Sequence, residues 1–318
     1  WSWELLTDIW KLDKKRLWVT IYEDDNESKE IWEKFTDIDP NRILKFGNKE
    51  NFWEMGDTGP CGPCSEIHYY IGQIDKQNKD GVNRTDEYRE LWNLVFMQYN
   101  RLENGKLEDL PSKHVDTGLG LERMVSTLNN LDDHYKTDLF YPIIEHIVKI
   151  SNKNYSFDNG VPHRVIADHL RMVSFSISDG IMPSNEGRGY VVRRVLRRAA
   201  RFGRVLGIKQ SFIYLLYDTL ISILGDSYPE LIDKKDYVVK VIKSEEESFG
   251  KTLDRGLIIF EEICSELNGN QISGEDVFKL YDTYGFPLDL TQLLAQEKKI
   301  SIDEDKFHFL MNKQKDKA

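Results

Sequence analysis

The sequence predicts an α+β chain: an antiparallel sheet with flanking helices over residues 1–135, then an all-α region over 136–318. Three observations carry this. β-rich runs alternate with turns in the first part. Beyond Thr137 strand signals almost vanish and apolar residues recur at helical spacing. With 40% hydrophobic and 12% aromatic residues, the 318 residues also hold enough apolar material for one large or two ordinary packed domains, which excludes disorder.

Trp1-Ser-Trp-Glu-Leu-Leu6 reads as the interior of an amphipathic helix, so the chain is expected to begin part-way through a longer protein. Leu17–Tyr22 is a β-rich run. Glu27–Phe35 spaces Ile31, Trp32 and Phe35 as a short helix, capped by Asp25 or Asn26. Asn51–Met55 and Ser65–Ile71 read as strands, separated by the breaker-rich Gly56–Cys64. The polar stretch Gln73–Asp86 reads as an exposed loop. Leu91–Tyr99 is a long apolar strand, and Asn104-Gly105 within Leu102–Leu107 is a hairpin turn. Helical periodicity then marks Leu139–Ile150, Arg164–Ser178, Tyr190–Leu206, Phe212–Leu224, Val238–Leu267, Glu275–Tyr284 and Leu288–Glu297.

Charge is unevenly placed. The whole chain carries −11, but Val161–Lys209 holds nine Arg and one Lys against Asp168, Asp179 and Glu186, a local +7. This excludes a uniformly basic nucleic-acid binder and points to an acidic protein with one cationic surface. No apolar run approaches the ~18–20 residues of a membrane helix, so a soluble protein without a membrane partner is expected. Three cysteines are too few for a disulfide scaffold and suit a reducing compartment. The cytoplasm is the expected location, with an organellar form left open.

Several strings can carry chemistry. Gly118-Leu-Gly-Leu-Glu-Arg123 leads into an apolar-periodic helix. Glycines admit a ligand close to backbone, a helix start favours phosphate, and an Arg one turn in can grip phosphate oxygens. The alternative is a glycine turn with an ordinary surface Arg. His114-Val-Asp-Thr117 places a carboxylate two residues before the glycines, which suits a ligand bearing both an ammonium and a phosphate. Cys61-Gly-Pro-Cys64 with His68 offers too few ligands for a structural zinc, and no metal site is expected there. In Tyr190–Leu206, Val191, Val192, Val195, Leu196, Ala199, Phe202 and Val205 mark one face, and Arg193, Arg194, Arg197, Arg198, Arg201 and Arg204 the other. Like charges so clustered call for a counter-charge. A phosphate backbone would supply it; pairing with the chain's own acids is the alternative.

Gly118–Arg123 resembles motif 3 of the class II aminoacyl-tRNA synthetases. Asn51–Glu66, Leu91–Gln98, His114–Gly118, Ser178–Tyr190 and Leu280–Pro287 resemble the alanyl-tRNA synthetase family in particular, in that family's order and over nearly the whole chain. The resemblance implies a partial class II catalytic sheet over 1–135 and a helical tRNA-recognition domain over 136–318. It implies ATP-dependent activation of alanine, with Mg²⁺ bridging phosphates, and transfer to tRNA(Ala). By the same resemblance Asp116 holds the alanine ammonium, Asn93 orients the amino acid, and Trp53 and Val95 wall a small pocket. Gly118, Gly120 and Arg123 belong to the ATP site. Asn185 and Asp282 read the acceptor stem, and Arg193, Arg194, Arg197 and Arg198 meet RNA. Trp53 and Val95 as plain core, and Asn185 as a turn residue, stay open.

Motifs 1 and 2 and the family's editing domain have no counterpart in the sequence, so a missing N-terminal catalytic segment and a downstream domain are expected in a longer protein. A non-catalytic or truncated synthetase-derived tRNA-binding protein is the alternative function.

Overall fold

The computed structural model describes residues 1–267 and 269–315. The chain divides into two compact units, Trp1–Thr137 and Asp138–Ala318.

The first unit opens with α1 (Ser2–Glu4), which runs into a π-turn at Leu5–Ile9 and buries Trp3 and Leu6. There follow β1 (Leu17–Tyr22), α2 (Asn26–Phe35), β2 (Ile43–Phe46), α3 (Asn48–Asn51), β3 (Phe52–Glu54), β4 (Gly59–Tyr70), β5 (Tyr88–Arg101), β6 (Leu107–Leu119) and α4 (Leu121–Leu128). Asp25 caps α2 by accepting the Ser28 N–H at 2.9 Å and the Ser28 hydroxyl at 2.7 Å. The sheet order is β2-β1-β4-β5-β6, with β3 paired to β4. One pair departs from the antiparallel expectation: β1 and β2 are parallel, because α2 carries the chain across between them.

Side chains alternate across the sheet. Leu17, Val19, Ile21 and Ile67 join Trp3, Leu6, Trp32 and Met124 in the main core on one face. Thr20, Cys64, Glu66 and His68 therefore point to the other.

From Gly59 on, the breaker-rich run is strand rather than loop. β4 starts at Gly59 because Cys61, Gly62 and Pro63 pair with Glu54, Trp53 and Phe52. On its other side β4 skips register between Cys61 and Cys64, so Pro63, which has no N–H to give, falls in an irregularity of the ladder. A Cβ on Gly62 would lie 2.1 Å from the Phe96 carbonyl oxygen, so only glycine admits this approach. The Asn51–Met55 run likewise divides between the end of α3 and β3. Gln73–Asp86 contains two 3₁₀ turns rather than plain loop. Val82 is fully buried, and Gln77 accepts from Trp18 Nε1 at 2.9 Å.

The second unit comprises α5 (Tyr141–Ser151), α6 (Val161–Ser178), α7 (Gly187–Val205), α8 (Tyr217–Leu224), α9 (Pro229–Asp233), α10 (Lys235–Ser265), β7 (Gln271–Ile272), α11 (Gly274–Asp282), α12 (Leu288–Glu297), β8 (Ser301–Ile302) and α13 (Glu304–Lys315). The all-α expectation needs one correction: β7 and β8 form a short parallel pair, in register at Gln271–Ser301 and Ile272–Ile302. Two residues give no periodicity for a sequence to display. The expected helix from Phe212 begins instead as a 3₁₀ turn, Ile213–Leu216. Glu246 of α10 sets that start by accepting the Phe212 and Ile213 N–H groups at 3.0 and 3.1 Å. It occupies one position of an otherwise apolar stripe, Val238, Ile242, Phe249, Leu253 and Phe260.

Candidate active site and arginine surface

Strand register assembles the site. Across β4, β5 and β6 one row reads Glu66–Asn93–Gly118 and the next Cys64–Val95–Asp116. Residues two apart share a face, so Asn93, Val95, Asp116 and Gly118 lie on the same side of the sheet, with Glu66 beside them. The ladder skips a residue at Leu91: Ile67 pairs with Trp92, but His68 pairs with Glu90. That bulge turns Glu90 onto the face of Asn93. Trp53, Cys64, Glu66, Glu90 and Asn93 together line an open recess of about 690 Å³.

Glu66 is nine-tenths buried and anchored by the Thr20 hydroxyl at 3.2 Å and the His68 ring at 3.1 Å, both on Oε2. Asn51 steadies Thr20 by donating to its hydroxyl at 2.9 Å and also reaches the Cys64 carbonyl at 3.2 Å. Among the described residues the buried Asn93 Oδ1 atom has no hydrogen-bond partner. Such an atom is costly to leave unpaired unless a ligand meets it.

Other expected residues are placed differently. Val95 is buried, while Asp116 is exposed on β6, and neither lines the recess. Among the described residues β6 pairs with β5 alone and lies at the sheet edge. Gly118 is within β6, and a Cβ there would enter open space, so no packing inside this chain demands glycine. Gly120 is the N-cap of α4; its missing Cβ makes room for the Arg123 stem, which would otherwise lie 3.2 Å away. Arg123 binds Glu90 through both the backbone carbonyl (3.1 Å) and the carboxylate (3.0 Å). Cys61 and Cys64 are free and buried, and burial pushes the Cys64 thiol up to about 12. Such a thiol is a poor nucleophile at neutral pH.

On α7 four arginines meet acids of their own unit, the pairing that the sequence left open. Arg193 lies 3.2 Å and Arg197 2.8 Å from Glu245; Arg204 lies 2.7 Å from Asp254. Arg201, almost fully buried, forks onto both oxygens of Glu297. The acids of α10 and α12 thus offset part of the helix's charge from within the unit. The helix is also rotated from the expected amphipathic split: Val191 and Val205 are exposed, and Arg201 is buried in their stead. Arg188, Arg194 (3.5 Å from Asp289) and Arg198 (over the Phe202 ring) remain exposed. Asn185, exposed, accepts a hydrogen bond from Arg193, and Asp282, also exposed, accepts one from Gln314.

Sequence reasoning left Glu66 without a role, weighed His68 only as a metal ligand, and did not single out Glu90 or Thr20. Glu66 and His68 share a face of β4, but the β1–β4 pairing brings in Thr20 and the Leu91 bulge brings in Glu90, and neither leaves a local signal.

Among the described residues no helix is long and apolar enough to cross a membrane. A family model described as tRNA synthetases class II (A) matches residues 1–318. Curated relatives include an alanine–tRNA ligase of Chlorobium chlorochromatii, 51% identical over 327 residues, and one of Chlorobium luteolum, 50% identical over 326. A third, from Idiomarina loihiensis, is 48% identical over 319 residues. Each alignment covers 100% of this chain and 37% of the relative, so the chain spans little more than a third of their length. The α+β fold, the motif strings in their order and the end-to-end match converge, and the chain belongs to the class II (A) family of tRNA synthetases.

Proposed function

We propose that this chain contributes to ATP-dependent activation of alanine and its transfer to tRNA(Ala). The first unit would supply part of the aminoacylation site and the helical unit would recognise the acceptor stem. The observation that carries the reading is the shared face of Asn93, Val95, Asp116 and Gly118, with the recess beside them. In this reading Asp116 meets the alanine ammonium and Asn93 orients the amino acid through its unpaired Oδ1. Trp53 and Val95 limit side-chain size. Gly118 and Gly120 leave room for the nucleotide, and Arg123 meets its phosphates.

Activation joins an alanine carboxylate oxygen to the α-phosphorus and breaks the α–β anhydride, releasing pyrophosphate. Transfer then moves the alanyl group to a ribose hydroxyl and releases AMP. Both steps depend on positioning and charge stabilisation. Among the described residues no group of three His, Cys, Asp or Glu side chains could hold a metal on its own; Mg²⁺ commonly takes one or two carboxylates plus substrate phosphates, and Glu66 and Glu90 are the oxygen donors beside the recess that would hold it. When bound, the ion would neutralise phosphate charge. The Asn185 and Asp282 acceptors suit a guanine amino group in an RNA minor groove, each after exchanging its present partner.

One observation favours the non-catalytic alternative. Glu50, Glu54, Glu66 and Glu90 outnumber Lys49 around the recess, and Arg123 is already held by Glu90. Titrating a non-hydrolysable alanyl-adenylate analogue against the chain by calorimetry decides between them. Saturable binding, weakened at least ~10-fold by Asp116→Asn and by Asn93→Ala, is expected. Absence of analogue binding with RNA binding intact selects the alternative.

A further inference from the structure

Six of the seven arginines of α7 fall into two classes; the seventh, Arg188, lies exposed in its first turn. Arg193, Arg197, Arg201 and Arg204 follow helical spacing along one stripe, and each meets a carboxylate of α10 or α12. Their side chains keep between 7% and 23% of their exposure, so they are packed as well as paired. Arg194 and Arg198 stand off this stripe, and Arg194 keeps 60%.

Around that exposed pair lies a cleft of about 300 Å³, with His169 of α6 on one side and Asp289, Gln292 and Gln296 of α12 on the other. Gln292 and Gln296, four apart, offer two amides from one helix face. The His169 Nδ1 atom lies 3.5 Å from Asp168, and its Nε2 is buried without a hydrogen-bond partner. Arg197 also borders the cleft. Against these cations stands Asp289, whose carboxyl burial pushes up and which Arg194 faces at 3.5 Å. Cationic forks, amide donors and an unmet ring nitrogen around a small volume suit one tetrahedral anion.

We propose that this cleft seats a single phosphodiester of an RNA stem, gripped by Arg194 and Arg198 with the α12 amides. The four paired arginines would be fasteners that hold α7 to α10 and α12 and do not touch RNA. This rests on the reading of the helical unit as an RNA-recognising one. It narrows the earlier assignment, which gave Arg193, Arg194, Arg197 and Arg198 equal parts.

The test uses the full chain and a fluorescein-labelled RNA hairpin carrying the tRNA(Ala) acceptor stem, with anisotropy read at several salt concentrations. The double variant Arg194→Gln, Arg198→Gln is expected to bind ~10-fold or more weakly, with the salt dependence of log Kd shallower by about one and an unchanged melting curve. Gln292→Leu with Gln296→Leu should weaken binding severalfold without changing the salt slope. Arg197→Gln should lower the melting temperature and leave affinity within about twofold at a temperature where it is folded. Unaltered binding by the Arg194/Arg198 variant overturns the proposal, as does an RNA defect in Arg197→Gln that matches it without a stability change. A parent chain that binds no hairpin at low salt overturns the RNA reading and the proposal together. Titration with inorganic phosphate separates a free-anion site from a backbone site. Saturation lost in the double variant while hairpin binding stays intact would reject the RNA assignment.

Discussion

The two units place buried carboxylates in opposite settings. In the sheet unit Glu66 is held by two side chains, Thr20 and His68, and borders an open recess. In the helical unit Glu246 is held by two backbone N–H groups and is enclosed by an apolar stripe. The first arrangement fixes a charge where a ligand can reach it; the second uses a charged residue to start a helix. The arginines of α7 repeat the second strategy, since four of them are consumed by carboxylates of their own unit. Side-chain charge alone therefore does not locate function here. What a charged group faces decides it.

The largest effect that tests this contrast is Glu246→Ala, which strands two buried N–H groups and should cost about 3 kcal/mol in urea titration of the helical unit. The pH profile sharpens it. Burial pushes the Glu246 carboxyl up from 4.5 to about 7, against the pull of the Phe212 and Ile213 N–H groups. The folded chain then holds this proton more tightly than the unfolded one. The contribution is full below pH 4.5 and is lost as pH rises through about 7. Glu246→Gln keeps an acceptor and should flatten that slope; an unchanged slope would show that Glu246 stays ionised throughout.

Next comes Arg201→Ala, expected to cost about 2 kcal/mol by loss of a nearly buried guanidinium that forks onto the exposed Glu297, with no effect on adenylate-analogue binding. A smaller stability loss, about 1 kcal/mol, is expected for Thr20→Val, which removes the hydroxyl between Asn51 and Glu66. Its mark would be a severalfold drop in analogue affinity; a stability loss with unchanged affinity would make the Glu66 network purely structural. The smallest effect is that of Lys14→Ala. Its 2.7 Å pair with Asp37 lies at the surface, and the melting temperature should stay within about 1 °C.

How much was legible follows from the range of each interaction. The Asp25 cap, the Gly120 start of α4 and the periodic helices depend on neighbours within a turn, and the sequence displays them. The strand at Gly59–Cys64 was hidden, because prolines and glycines read as breakers until Gly62 is seen beside Phe96. Asn93, Asp116 and Trp53 were nameable through motif strings. Their neighbours Glu66 and Glu90 depend on a bulge that only the folded ladder shows. The arginine face was misjudged for the same reason: Glu245, Asp254 and Glu297 lie 48, 50 and 96 residues from their partners.

The position of β6 at the sheet edge bears on how this chain behaves when concentrated. An edge strand with a free row of N–H and C=O groups is a template for adding a strand from another molecule. Pro111 and a register break between Met97 and Tyr99 of β5 spoil the template over the middle of β6, and charges at Glu108, Asp109 and Lys113 discourage pairing nearby. Past them runs Val115–Leu119, regular in register and, at Val115, 71% exposed. That stretch contains Asp116 and Gly118, so the backbone most open to mistaken self-pairing is the backbone the proposed chemistry needs kept clear.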